Sequence, residues 1–214
     1  MKKVLAIVAL VAAMFVAGKV QAQTTIYATY APESFISSYN NSNSSKVNYQ
    51  GFSVGVNHNI TLYKGFGVAP GLQFRMNMNT SSYEQTVMGI TGKFNVKKTQ
   101  TILDVPVLFN YDLDLTRVLS IVPFVGPMAS FALSGVTLTE CSDPIFGNSI
   151  YTSNWYGEDA IMKRFNLYAL VGADIKFKGF NVFGGYRWGL LDIDTNDQTT
   201  MKTRGMFVGL GYSF

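Results

Sequence analysis

The last ten residues alternate between large and mostly small side chains. Met206, Val208, Leu210, Tyr212 and Phe214 share one phase, and Gly205, Phe207, Gly209, Gly211 and Ser213 share the other. A repeat of two is the repeat of an extended strand, whose successive side chains point to opposite faces. Helical periodicity is excluded here, and the pattern recurs along the chain.

Six further runs carry it. Phe52, Val54 and Val56 alternate with Gly51, Ser53, Gly55 and Asn57. Val68, Pro70, Leu72, Phe74 and Met76 alternate with Gly67, Ala69, Gly71, Gln73 and Arg75. Leu103, Val105, Val107, Phe109 and Tyr111 oppose Asp104, Pro106, Leu108, Asn110 and Asp112. Ile121, Pro123, Val125, Pro127, Phe131 and Leu133 oppose Phe124, Gly126, Met128, Ser130 and Ser134. Two runs, 165–177 and 180–190, are separated only by Lys178 and Gly179, which predicts a tight hairpin. A first strand near 24–34 has no clear phase. Pro106, Pro123 and Pro127 lie inside runs, where they are expected at bulges or rims.

Connections between the runs alternate in length. Short ones lie near 59–65, 113–119 and 178–179. Long polar ones lie near 35–48, 78–99, 135–163 and 192–202. Short–long alternation over eight strands predicts an all-β, eight-stranded antiparallel transmembrane β-barrel, with short periplasmic turns and long extracellular loops.

The first 22 residues read as an export signal. Lys2 and Lys3 precede an apolar run from Val4 to Ala17, and Val20-Gln21-Ala22 fits a signal peptidase site. The run is shorter than the ~20 residues that a spanning helix needs. The expected organisation is a signal peptide over 1–22 and a barrel domain over 23–214. Charge then reads differently. The whole chain carries 17 basic and 13 acidic residues, +4. Three of the basic residues lie in the signal, leaving 14 against 13, or +1. A nucleic-acid partner loses its support. Only 14% of residues are charged and 48% are hydrophobic, which excludes disorder. A single cysteine, Cys141, excludes a disulfide scaffold.

The assignment of the faces decides between two barrels. A soluble, lipocalin-like barrel turns its apolar face inward around a ligand, and a membrane barrel turns it outward. The polar phase here is rich in Gly, Ser and Asn, which suits a narrow lumen better than a solvated surface. Tyr111, Phe165, Phe177, Phe180, Trp188, Tyr212 and Phe214 fall toward strand ends, as interfacial girdles do. Outer membrane lipids are the expected surroundings, and the chain is expected to be a monomer.

ILDVPVLFNYDLDL and LSIVPFVGPMASFAL resemble the fourth and fifth strands of small outer-membrane β-barrel families of Bacteroidetes-type bacteria. YRWGLLDID resembles their penultimate strand and GLGYSF their last. These porin-family proteins are similar to the eight-stranded transmembrane domain of OmpA. The resemblance implies location in the cell outer membrane of a Gram-negative cell and no shared catalytic motif. It also implies that Phe214 is the C-terminal signal read by the outer membrane assembly machinery.

Arg75, Asp104, Asp174, Lys176 and Arg187 all fall on the polar phase and form the candidate lumen charge network. A charge in a narrow lumen has to be paired or hydrated. The expected role is a salt-bridge plug, with a gated path for small ions as the alternative. His58, the sole histidine, is expected at the periplasmic end of the second strand. A lipid-modifying enzyme built on it is a further alternative, but no matching Ser and acid is placed around it. Glu140, Asp143, Glu158 and Asp159, and Asp192, Asp194 and Asp197, are acidic loop clusters without an EF-hand pattern. Trp155, Tyr151 and Tyr156 are expected to meet a partner or pack on the rim. No P-loop, dinucleotide fingerprint, zinc pair or nucleophile elbow is present. The expected protein is a structural or surface-interacting barrel, not an enzyme, without metal or cofactor.

Overall fold

The computed structural model describes residues 22–39, 43–87, 90–143, 147–157, 160–196 and 198–214. All but Ala22 of the expected export signal lies outside these residues. The described residues form eleven strands: β1 (Ala22–Tyr30), β2 (Glu33–Tyr39), β3 (Asn43–Tyr63), β4 (Phe66–Val87), β5 (Ile90–Tyr111), β6 (Leu113–Asp114), β7 (Leu119–Asp143), β8 (Gly147–Asn154), β9 (Phe165–Phe177), β10 (Phe180–Gly189) and β11 (Thr199–Ser213). Eight staves close a ring. β1 and β2 form the first stave, interrupted at Ala31 and Pro32. The others are β3, β4, β5, β7, β9, β10 and β11, and β11 pairs back onto β1 and β2. Every pairing is antiparallel and joins chain neighbours, save the closing seam. At the seam Thr24 and Phe214 exchange backbone hydrogen bonds of 3.2 and 2.9 Å.

The two phases of the sequence take the two faces as expected for a membrane barrel. Phe52, Val54, Phe74, Val125, Val171, Val182, Val208 and Leu210 are exposed on the outside. Thr29, Ser53, Gln73, Arg75, Asp104, Ser130, Asn166, Asn181 and Arg187 are buried inside. A soluble binder needs these faces exchanged. In hydrocarbon every backbone polar group must be paired within the protein, and a closed ring does this. The girdle residues Tyr111, Phe165, Phe177, Phe180, Trp188, Tyr212 and Phe214 are all exposed. Edge-on aromatic pairs stand at the turn end, Phe66 with Tyr111 at 5.6 Å and Phe180 with Tyr212 at 5.2 Å. From Phe165 to Phe177 a stave tilted by ~40° rises about 30 Å, the thickness of a bilayer core.

The turn end is built by one repeated device. Lys64-Gly65 and Lys178-Gly179 both place two successive residues at positive φ, 44° and 85°, and 47° and 87°. Positive φ at both central residues defines the turn whose twist matches its flanking strands. The third short connection is held by Thr116, whose Oγ1 accepts from the N–H groups of Val118 and Leu119.

Two expectations are corrected. The long connections near 35–48, 78–99 and 135–163 are largely strand. β4 and β5 stay paired from Gln73↔Asp104 up to Val87↔Ile90, and β7 carries β8 from Val136 to Asp143. Beyond the membrane both faces are polar, so a period in hydrophobicity fades while Thr, Tyr and Val still favour strand. The prolines are not at bulges. Pro70, Pro106 and Pro127 each fall in a two-residue gap of the β3–β4, β4–β5 and β5–β7 ladders, with no change of register, and Pro123 pairs in register with Ala173. Proline lacks the N–H to close the ladder, yet the staves pass it unshifted. Register shifts occur instead near Thr101/Ile102 and Thr61/Tyr63.

Candidate functional site: the charged lumen and its aromatic cap

The narrow lumen is crossed by a network centred on Glu33. Its carboxylate accepts from Arg75, from Asn77 Nδ2 at 2.8 Å and from the Tyr168 hydroxyl at 2.8 Å, and Arg187 Nη2 stands 3.5 Å away. Arg75 also grips Asp104, Nε to Oδ2 at 2.8 Å and Nη2 to Oδ1 at 3.1 Å. Asp104 further accepts from Gln73 at 3.0 Å and from Ser130. Arg187 donates to the Ala31 carbonyl at 2.9 Å. Asn166 donates to Thr203, and Thr203 to the Tyr168 hydroxyl. Both guanidinium groups lie near the Tyr168 ring, Arg75 at 5.5 Å and Arg187 at 6.0 Å from its centre. Two acids and two arginines balance, and all four are buried. The members come from every stave except β3.

Three local features bring these side chains together. Arg75 and Asp104 sit diagonally across the β4–β5 ladder, where Gln73 is directly opposite Asp104. The break at Ala31 and Pro32 turns the Ala31 carbonyl toward Arg187. Gly51 and Gly205 make room for it, since a Cβ on either would strike the Ala31 or Pro32 carbonyl.

Of the five charges expected on the inner face, the structure joins Arg75, Asp104 and Arg187. Asp174 and Lys176 are inside but belong to a second group toward the turns. Lys176 pairs with Asp112 at 3.2 Å, both partly exposed. Asp174 accepts from Asn181 at 2.6 Å, and Ser213 donates to Asn181 Oδ1 at 2.8 Å. Between the two groups lies a cavity of about 90 Å³, room for a few waters, lined by Gln73, Asn110, Asp174 and Arg187. Asn110 Oδ1, Asp174 Oδ1 and Arg187 Nε are buried there without a hydrogen-bond partner among the described residues.

Glu33 is not among the charges that the alternating runs single out. It is the only charged residue between Lys19 and Lys46, and it shares the phase of Tyr27, Thr29 and Ala31. That phase runs unbroken through Pro32 and was the available signal.

Above the network the lumen is capped. After β8 the chain folds inward, burying Trp155 and Tyr156 with Phe35, Tyr49, Ala132, Met162 and Ile193. Trp155 Nε1 donates to Thr137 at 2.7 Å. Arg164 lies over the Tyr156 ring at 4.9 Å and donates to the Ala132 and Leu133 carbonyls. Gln100 Nε2 donates to the Tyr156 hydroxyl at 2.6 Å, and Gln100 Oε1 accepts from Asn77 at 3.3 Å. One chain of hydrogen bonds thus links the cap to Glu33. Tyr151 remains exposed on β8.

The other candidates take structural places. His58 Nδ1 bonds Thr24 Oγ1 at 3.0 Å, opposite it on β1. Cys141 stands in β7 opposite Phe94 and Ser149. Glu140 is in β7, and Glu158, Asp159 and Asp197 lie outside the described residues. Asp192 accepts from the N–H groups of Asp194 and Met201, and Asp194 from that of Asn196, so these carboxylates shape turns. Phe214 points outward at the seam.

A closed ring of eight staves with a lipid-compatible exterior and a filled polar lumen defines a small outer-membrane β-barrel. The chain belongs to the outer membrane protein beta-barrel domain family, whose model matches residues 15–195. It is an outer membrane protein. Solved structures of other outer-membrane proteins are similar to the chain. Ail of Yersinia pestis, solved in complex with the heparin analogue sucrose octasulfate, is 17% identical, with 90% of this chain and 99% of that one covered at a TM-score of 0.43. Neisserial surface protein A is 16% identical over 88% and 97% of the two chains, TM-score 0.37. The N-terminal barrel domain of Pseudomonas aeruginosa OprF is 13% identical over 91% and 100%, TM-score 0.35. No curated protein matches.

Proposed function

We propose that this protein is a non-conducting, non-enzymatic barrel that anchors an extracellular β-platform for surface contacts. The observation that carries the reading is the buried cluster of Glu33, Arg75, Asp104 and Arg187, drawn from opposite sides of the lumen. An ion crossing there has to displace charge-assisted bonds in a buried site. The aromatic cap adds a second barrier. Planar-bilayer recording tests the closed lumen. The expected trace has no steady conductance for the purified protein, and a stable open channel overturns the plug. Lipid A mass spectra are expected to be the same with and without the protein; a changed acyl pattern overturns the non-enzymatic reading.

Phe214 serves in this reading as the recognition residue for the assembly machinery. Its side chain is exposed beside the closing seam. Phe214→Ala is expected to lower the amount of heat-shifted, folded barrel in the outer membrane several-fold.

A further inference from the structure

β8 has one partner. It pairs with β7 from Val136↔Asn154 to Asp143↔Gly147, and no described residue pairs with its other edge. From Ile150 to Asn154 every residue is exposed, with Ile150 at 67% and Tyr151 at 65%. The hydrogen-bond phase of this hairpin is set at its base. Trp155 N–H donates to the Gly135 carbonyl at 2.9 Å, and the two residues continue the β7–β8 register. Bonded and non-bonded pairs alternate in an antiparallel ladder. The backbone groups of Ser149, Tyr151 and Ser153 therefore point to β7, and those of Ile150 and Thr152 point outward to the open edge.

Exposed edges are ordinarily blunted by a charge, a proline or a bulge, because their unpaired N–H and C=O groups template another strand. β8 has none of these. It reads GNSIYTSN, with three good strand formers, Ile150, Tyr151 and Thr152, in its middle, and its register is unbroken. The contrast lies in the same sheet. β4 loses its β3 partner beyond Met78, but that edge carries Glu84 in an exposed ion pair with Lys93 at 3.2 Å.

We infer that the open edge of β8 receives an extended segment of a partner protein as an added strand. The inference rests on the surface-contact reading above and names the kind of partner. Outward backbone groups spaced two residues apart match the spacing of another extended backbone. Ile150 and Tyr151 on opposite faces favour β-branched or aromatic residues in the incoming strand.

Thr152→Pro removes an outward N–H and leaves the β7 ladder intact, since the Thr152 N–H does not serve it. Random peptides displayed on phage are selected on the full protein in lipid nanodiscs. Selected peptides are expected to share a period-two apolar pattern and to bind Thr152→Pro about tenfold or more weakly, while a heat-shift gel shows the variant folded. Ile150→Lys, which charges the edge and keeps every N–H, is expected to weaken binding too and serves if the proline variant does not fold. Peptides that bind both variants like the parent overturn the edge assignment and leave the surface-contact reading standing. Enrichment of no peptide overturns both.

Discussion

Arg75 holds Asp104 through two parallel hydrogen bonds from the neighbouring stave, at 2.8 and 3.1 Å, with neither side chain accessible. Such a fork fixes orientation as well as charge. Asp104→Ala leaves the guanidinium half-paired in a buried site. It is expected to cost about 3–5 kcal/mol, measured by urea unfolding in lipid vesicles. A loss under about 1 kcal/mol, the range of a surface pair, would show that the fork holds nothing.

Gly51 and Gly205 clear the way for the break in the first stave. A Cβ added to either meets a carbonyl of Ala31 or Pro32, backbone that cannot swing aside. Gly51→Ala and Gly205→Ala are each expected to destabilise the barrel by about 1–3 kcal/mol. Gly157, with nothing within 4 Å of a Cβ, is the control, and Gly157→Ala is expected to be neutral. Equal stability of all three variants would refute the argument.

Lys178 sits at φ 47° without a glycine's freedom. Asparagine enters that region more readily. Lys178→Asn is expected to stabilise the barrel by about 0.5–1 kcal/mol, read as a higher urea midpoint. A lower midpoint would mean that the lysine is doing something other than occupying the turn.

The two tryptophans report opposite environments. Trp155 is 3% exposed in the cap, and Trp188 is 44% exposed on the lipid face. In a Trp188→Phe variant the remaining fluorescence is expected to resist iodide. Adding Tyr156→Ala, which removes the partner of Gln100, is expected to raise quenching at least about twofold, the size expected when a locally packed cap begins to open. Brominated lipid is expected to quench Trp188 in a Trp155→Phe variant. Iodide reaching Trp155 freely in the parent would remove the cap.

Much of the fold was legible in the sequence. The alternation of Met206 to Phe214 with Gly205 to Ser213 placed lipid on one side and lumen on the other, and Lys178-Gly179 marked its hairpin. The candidate site was legible in part. Arg75, Asp104 and Arg187 were found by phase alone. Glu33 was not, because the run near 24–34 has too few large apolar residues to show which phase faces inward. The partition of Asp174 and Lys176 into a separate group was hidden too, since phase says that a side chain points inward but not at what height. The long hairpins were read as loops because polar residues on both faces erase the hydrophobic period.

By itself the sequence determined the strand period, the number of staves, the turn positions and the face that meets lipid. These are local properties: a side chain's direction depends only on its place in an alternating run. The tertiary structure decided which charges meet. Glu33 reaches Arg75 across 42 positions and Tyr168 across 135, through registers that each pair of staves sets separately. It also decided where the ring ends. β8 leaves the barrel with one edge unpaired among the described residues, and the chain turns inward at Trp155 to cap the lumen. Register and closure arise between strands, and no single strand's sequence records them.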